Sequence, residues 1–188
     1  MTGAILAVRE KMDLFGVIVL SVATGLSGGI MRDLILGRVP PATLVDWRFL
    51  VVAGVAGLLV FVDFPQIVKW SRFVTAFDAA CLAIFTVTGT TIALPAGLGA
   101  TSAALLGMLT GIDGGALRDT LAAEIPLVLR SEIYAVASLL GAIIIGIADQ
   151  FQASGVAVEI LAATATFGLR MIIVWRGWRI PLAHAGTR

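Results

Sequence analysis

The sequence predicts an all-α membrane protein made of two inverted three-helix repeats and one further C-terminal helix. The first observation is composition: 59% of the 188 residues are hydrophobic and only 13% are charged, whereas a soluble domain carries about a quarter charged residues. The second is a series of apolar segments of the length that crosses a bilayer, about 20 residues each. The third is an internal repeat. Together they indicate one compact helical bundle in a membrane.

The repeat is carried by the pattern T-G-x-x-G-G-x-x-R-D, which occurs at residues 24–33 and again at residues 110–119. The two copies lie 86 residues apart and align without a gap. The same offset relates Thr2-Gly3 to Thr88-Gly89, Pro40 to Pro126, Asp46 to Glu132 and Asp63 to Asp149. So many matches at one offset indicate an internal duplication.

Turn and charge signals divide the chain into a short N-terminal fragment and six apolar spans. The fragment, residues 1–8, is closed by the charged turn Arg9-Glu10-Lys11. The spans are predicted at residues 14–36, 47–64, 74–94, 99–123, 133–147 and 156–175, with prolines or acidic residues at most of their ends. Helices commonly stop at such residues.

An odd number of crossings decides how the duplicated units are oriented. Because each unit has three helices, the second copy enters the membrane upside down, as in many transporters and some channels. The predicted division is a first repeat at residues 1–73, an inverted second repeat at 74–152, an extra transmembrane helix at 153–175 and a basic tail at 176–188. The first helix is expected to be incomplete, because residues 74–87 have no counterpart before Met1.

Basic residues lie mainly on one side of this predicted bundle. By the positive-inside rule that side is cytoplasmic, together with the C-terminus, and the expected location is the bacterial inner membrane. The cytoplasmic set is Arg9, Lys11, Lys69, Arg72, Arg130, Arg176, Arg179 and Arg188, and the opposite set is Arg38 and Arg48. The tryptophans, Trp47, Trp70, Trp175 and Trp178, lie near span ends, as interfacial anchors do.

The glycines of the two motifs allow two interpretations. Small residues let membrane helices pack closely, whereas a break at the glycines would expose backbone carbonyls, which is tolerated only against protein or water. The adjacent charges favour a kink that lines a watery pathway, because charges at membrane depth usually pair or face water. The candidate pathway residues are Thr24, Ser27, Gly28 and Gly29 in the first motif and Thr110, Asp113, Gly114 and Gly115 in the second.

Two Arg-Asp pairs, Arg32-Asp33 and Arg118-Asp119, are predicted as buried charges near the pathway. Since adjacent residues point to different sides of a helix, neither pair is expected to neutralise itself. The expectation is that each arginine pairs with the aspartate of the other motif, or that each pair binds the helix after a proline loop. The competing reading is that these side chains extend to the membrane interface.

Two other groups of charges have simpler expected roles. Asp78 is expected to open its helix, where a carboxylate interacts favourably with the helix dipole. Glu159 and Arg170, eleven residues apart in the last span, are expected on one face of that helix.

Catalytic and metal sites are not indicated. The chain has a single cysteine, Cys81, and a single histidine, His184, so the sequence offers neither a Cys/His metal cluster nor a plausible nucleophile–base pair. We therefore expect no enzyme activity and no cofactor. The net charge of +1 gives no indication of nucleic-acid binding.

The doubled motif, the segment Phe77-Asp78-Ala79-Ala80 and residues 125–135 (IPLVLRSEIYA) resemble a known bacterial family over nearly the whole chain. It is that of the prokaryotic relatives of the trimeric intracellular cation (TRIC) channels, whose repeat is often labelled a glycine transporter domain. The resemblance implies seven helices in a 3+3+1 plan and a homotrimer in membrane lipid. It also implies one pore per protomer, lined by the two glycine-rich helices and conducting monovalent cations, mainly potassium.

Two other functions are compatible with the same residues. The leading alternative is a secondary transporter of a small solute such as glycine, because inverted repeats with broken helices also suit alternating access. A membrane scaffold without transport is a third reading, against which the buried charges count. For a channel, hydroxyl, carboxylate and backbone carbonyl oxygens are ordinary cation ligands.

Overall fold

The described part of the chain, residues 1–130 and 132–177 of a computed structural model, is built from α-helices. Its elements are α1 (Thr2–Arg9), α2 (Leu14–Ile35), α3 (Ala42–Val45), α4 (Trp47–Val62), α5 (Phe64–Lys69), α6 (Ser71–Ala93), α7 (Ala100–Leu121), α8 (Leu127–Arg130), α9 (Glu132–Gln150) and α10 (Val156–Arg176). Trp178, Arg179, His184, Arg188 and the side chains of Arg130 and Glu132 lie outside the described part.

The long helices agree with the predicted spans to within a few residues, and local signals explain where they begin and end. The Asp13 carboxylate accepts a hydrogen bond from the Gly16 N–H at 2.8 Å at the start of α2, and Asp46 accepts from the Arg48 N–H at 3.0 Å at the start of α4. Such N-caps satisfy amides that the helix leaves unpaired. Gly177, with φ of 61°, ends α10 in the left-handed conformation that favours glycine.

Helices α2 and α7 are equivalent by sequence and by position. Each has 22 residues, and both limits of α7 are those of α2 moved by 86 residues. Helix α2 packs against α1, α4 and α7, and α7 packs against α6, α9 and α2, while α10 lies on α6 and α9. Each glycine-rich helix therefore packs against the other two helices of its predicted repeat and against the other glycine-rich helix.

The contact between α2 and α7 is made backbone to backbone at the motif glycines. A Cβ on Gly28 would lie under 3.0 Å from the Thr110 carbonyl oxygen, and a Cβ on Gly114 would lie 2.5 Å from the Thr24 carbonyl oxygen. The 86-residue offset relates Gly28 to Gly114 and Thr24 to Thr110, so the second contact is the first with the two helices exchanged. As residue numbers rise along α2 they fall along α7, so the equivalent helices cross antiparallel, which is the relation expected of inverted repeats.

The motif glycines do not break either helix. Both α2 and α7 are continuous α-helix through residues 24–33 and 110–119. The glycines serve the close approach instead, because an absent side chain allows two helix backbones to touch. Glycine–threonine contacts extend this packing to neighbouring helices, with Gly3 against Thr24 and the equivalent Gly89 against Thr110.

The outer surface of the bundle is apolar. Helices α2, α6 and α10 are long and apolar enough to cross a membrane, α4 and residues 134–150 of α9 are shorter apolar helices, and α7 has the same length as α2 but carries Asp113, Arg118 and Asp119. Large side chains are exposed along α4, including Val51, Val52, Leu59 and Val62. Extended exposed apolar surface of this kind fits a lipid environment and protein interfaces within it.

Replacing Gly28 or Gly114 by alanine is predicted to destabilise the protein. The added methyl group would meet a backbone carbonyl that cannot move aside, so the two helices must separate, at a cost of about 1–3 kcal/mol. The measurement is thermal unfolding in mild detergent. Gly54 in α4 and Gly168 in α10 face open space, and alanine there should be neutral or stabilising by up to about 1 kcal/mol. Equal behaviour of all four variants would contradict the crossing.

Candidate functional site

A cavity of about 120 Å³ lies beside the crossing of α2 and α7. The motifs line it with Thr24, Gly25, Gly28, Thr110, Gly111, Gly114 and Gly115, and α6 contributes Asp78 and Cys81 among others. Five of the eight predicted pathway residues are thus brought to one cavity. The reason is the crossing itself, which places both glycine faces side by side.

The other predicted pathway residues, Ser27, Gly29 and Asp113, are not part of this lining. The Ser27 hydroxyl is buried and has no hydrogen-bond partner within the part of the chain that the structure describes, and Gly29 faces the Thr43 side chain of α3. Asp113 is partly buried and forms no ion pair within the described part of the chain. The equivalent positions Ser27 and Asp113 thus share the property that neither contributes to the cavity lining.

The two motif threonines make equivalent hydrogen bonds. The Thr24 hydroxyl donates to the Leu20 carbonyl at 2.6 Å and the Thr110 hydroxyl donates to the Leu106 carbonyl at 2.7 Å. Each hydroxyl oxygen keeps acceptor capacity after donating its proton. The cavity thus has oxygen acceptors from both motifs, although neither threonine carries a charge.

The Arg-Asp pairs are arranged differently from the prediction. Arg32 Nε donates to Asp33 Oδ1 at 2.8 Å and Arg118 Nε donates to Asp119 Oδ1 at 2.7 Å. The expected pairing between motifs is wrong, as is the expectation that adjacent residues do not neutralise each other. An arginine side chain is long enough to turn back along the helix and reach the neighbouring carboxylate.

The second oxygen of each aspartate binds the helix that follows a proline loop. Asp33 Oδ2 accepts from the Ala42 N–H at 2.9 Å, at the start of α3, and Asp119 Oδ2 accepts from the Leu127 N–H at 2.8 Å, at the start of α8. Binding to the helix after a proline loop was one of the two arrangements expected from the sequence. Since α2 and α7 are antiparallel, the two sites close the loops at opposite ends of the crossing.

A second cavity of about 350 Å³ adjoins the first on the Arg118 side. Both are lined by Thr2, Val74, Asp78, Gly115 and Tyr134, and the second adds Arg9, Arg118 and Arg170. Arg9 belongs to the set predicted to be cytoplasmic. The five shared lining residues make the two cavities neighbours, and the second extends towards Arg9 and Arg118.

Asp78 is a site residue that sequence reasoning assigned to a different role. Helix α6 begins at Ser71, so Asp78 lies about two turns inside the helix and does not open it. Its carboxylate belongs to the lining of both cavities. The signal that could have identified it is a lone acidic residue within an apolar segment, because ionisable groups at such positions usually have a function.

Arg170 and Glu159 serve separate sites. The Arg170 guanidinium lies 4.5 Å from the centre of the Tyr134 ring in a cation–π contact and reaches the second cavity. Glu159 lines another cavity of about 310 Å³ with Asp149, between α9 and α10. Within the described residues, no group of three or more histidine, cysteine or acidic side chains is placed to hold a metal ion.

A family model described as "Glycine transporter" matches residues 1–64 and 75–150, one match for each predicted repeat. A UPF0126 membrane protein of Deinococcus radiodurans is 40% identical over 144 residues, or 76% of this chain and 67% of that protein. The UPF0126 inner membrane protein YadS of Escherichia coli (strain K12) is 41% identical over 146 residues, or 76% of this chain and 70% of that protein.

Solved structures with the same fold are TRIC channels. One TRIC cation channel superposes with a TM-score of 0.94 at 30% identity, covering 100% of this chain and 92% of that chain. The TRIC trimeric intracellular cation channel orthologue from Rhodobacter sphaeroides gives a TM-score of 0.86 at 36% identity, covering 94% of this chain and 91% of that chain. The two sequence relatives are thus membrane proteins, and the two solved structures are cation channels.

Replacing Asp33 or Asp119 by asparagine is predicted to destabilise the protein strongly. Asparagine still accepts the hydrogen bond from the loop N–H, but the neighbouring arginine loses its counter-charge. That arginine is buried, since only 8% of the Arg32 side chain is exposed. Removing one partner of a buried pair costs about 3–5 kcal/mol. Asp46 is 43% exposed and lies 4.0 Å from Arg48, so Asp46→Asn should change stability by less than about 1 kcal/mol. Unfolding midpoints check this, and a tolerated Asp33→Asn would refute the role.

Proposed function

Since this chain belongs to the prokaryotic family of trimeric intracellular cation (TRIC) channels, we propose that it is a cation channel of the bacterial inner membrane. Monovalent cations, mainly potassium, cross each protomer beside the contact between α2 and α7. One observation carries the proposal: the cavity at this contact is lined by glycines and threonines of both motifs and by the Asp78 carboxylate.

The chemistry of the lining favours cations over anions. Thr24 and Thr110 supply uncharged oxygen acceptors, and Asp78 supplies a negative charge. Oxygen ligands replace part of the hydration shell of a cation, and an acidic side chain in a narrow path attracts cations and repels anions. The cavity-lining glycines Gly25, Gly28, Gly111, Gly114 and Gly115 matter for a further reason, because they leave the lining beside the crossing without side chains at these positions.

The predicted pathway set separates into two groups in this proposal. Thr24, Gly28, Thr110, Gly114 and Gly115 line the path. Ser27, Gly29 and Asp113 lie outside it, and their part in conduction stays a prediction that rests on the sequence motif. Asp113 is a partly buried carboxylate without an ion pair among the described residues, so it has the charge, although not the position, of a cation-attracting group.

The assembly is proposed to be a homotrimer with three separate pores. The described relative from Rhodobacter sphaeroides is called trimeric, and the exposed apolar faces of helices such as α4 and α10 are available for contacts with other subunits and with membrane lipids. The positive-inside rule places the C-terminus in the cytoplasm. The division into repeats at residues 1–73 and 74–152 is supported by the antiparallel crossing of α2 and α7.

Single-channel recording of the purified protein in a planar bilayer tests the function. In a potassium chloride gradient, unitary current steps are expected, with a reversal potential shifted towards the potassium equilibrium potential. Both features follow from a water-filled path lined by Asp78. Saturable counterflow of a small solute without unitary steps would overturn the channel and establish the carrier. Steps that reverse near the chloride equilibrium potential would contradict cation selectivity.

A further inference from the structure

We infer that Arg170 is a built-in competitor for permeating cations: it holds a fixed positive charge beside Asp78 and thereby limits conduction through each protomer. The inference rests on the proposed function, because it assigns a specific role to two groups of the same pathway. It concerns the helix α10, which lies outside the two predicted repeats, and it gives that helix a part in conduction.

Asp78 is the group for which the cations would compete. Asp78 is the acidic residue among the described residues that line the two neighbouring cavities, and it belongs to the lining of both. The buried carboxylates Asp33 and Asp119 are already neutralised, since each binds an arginine and a loop N–H, whereas the partly buried Asp78 has the uncharged Tyr134 hydroxyl as its hydrogen-bonding neighbour. A cation that moves between the cavities therefore passes Asp78 and is attracted to it.

Arg170 is held near this carboxylate by an aromatic ring. Its guanidinium stacks on Tyr134 at 4.5 Å from the ring centre, and Tyr134 lines both cavities together with Asp78. Arg170 is only 7% exposed, and among the described residues its Nε has no hydrogen-bond partner. The ring face, and not a carboxylate, is the contact that holds this buried cation.

The distance between Arg170 and Asp78 favours competition over a structural ion pair. Within the described residues the two side chains form no ion pair of 4.0 Å or less, although Asp78 feels the positive charges of Arg118 and Arg170. The carboxylate is thus influenced by Arg170 without being closed off by it. An ion beside Asp78 would experience attraction from the carboxylate and repulsion from the guanidinium at the same time.

The other arginines of the second cavity are less effective competitors. Arg118 is neutralised by Asp119 at 2.7 Å, and Arg9 is exposed at the end of α1, where solvent screens its charge. Arg170 is buried at membrane depth, where an unneutralised guanidinium is costly and usually functional. Its charge is therefore the buried arginine charge of this cavity that no carboxylate within 4.0 Å offsets among the described residues.

The test is a double-mutant cycle on the full chain in planar bilayers, with unitary conductance and reversal potential as readouts. Asp78→Asn should lower cation conductance and cation-over-anion selectivity. Arg170→Gln should raise cation conductance by roughly twofold or more, because it removes the repulsive charge. Arg170→Lys keeps the positive charge and should therefore not reproduce this increase. In the Asp78→Asn background, Arg170→Gln should have little further effect, since the site of competition is gone.

Arg48→Gln is the matched control, because it removes an exposed arginine charge outside both cavities and should leave conductance unchanged. Reduced or unchanged conductance in Arg170→Gln, or an equal increase with and without Asp78, would overturn the competition. If Arg170→Gln does not assemble, Tyr134→Leu is measured in its place. Without the ring, the guanidinium should move to Asp78 and conductance should fall. Unchanged conductance in Tyr134→Leu would refute the inference. Absence of unitary currents in the unmodified protein would instead contradict the proposed function.

Discussion

The backbone contact between α2 and α7 is the constraint on which the rest of the structure depends. Two continuous helices cross antiparallel with Gly28 against the Thr110 carbonyl and Gly114 against the Thr24 carbonyl. Since lipid tails are as apolar as the side chains, helices in a membrane associate largely through close packing. Glycine makes this possible here and at the same time leaves space beside the contact, so the same residues create the core of the bundle and the cavity next to it.

The charges of the bundle are arranged around this contact in two different ways. Arg32-Asp33 and Arg118-Asp119 are self-contained, because each aspartate binds its neighbouring arginine and one loop amide. They fix the loops at the two ends of the crossing. Asp78 and Arg170 lie near each other without a direct ion pair, and both reach the cavities. Paired charges thus stabilise the fold, whereas the role that we infer for the separated charges is to act on passing ions.

The features that could be predicted from the sequence are those that leave a regular pattern in it, either a long apolar segment or a repeat at a fixed spacing. The 86-residue offset located α7 from α2, and the apolar runs located the long helices. A break at the glycines could not be excluded from the sequence, because glycine is expected both where a helix breaks, owing to its low helix propensity, and where two helices pack closely. Only the contact between α2 and α7 in the folded structure distinguishes the two cases. The short helices α3, α5 and α8 were missed, since 4 to 6 residues are too few to show a helical period.

Side-chain reach explains the remaining differences. Neighbouring residues on a helix point in different directions at Cβ, but Arg32 bends back to Asp33, which a rule based on Cβ directions does not describe. Asp78 was assigned to a helix start because residues 69–72 look like a polar connector, whereas α6 already begins at Ser71. Its neighbours Tyr134 and Arg170 belong to α9 and α10, so only the folded structure brings the three together.

The central claim is that each protomer has its own cation path beside the α2–α7 contact. An ion map of the assembled protein in thallium salt, a heavy monovalent cation visible by anomalous scattering, tests it most directly. The account predicts density inside every protomer, next to Asp78 and the threonines of the two motifs. Density confined to an axis between protomers, with the cavity beside the crossing empty, would contradict it.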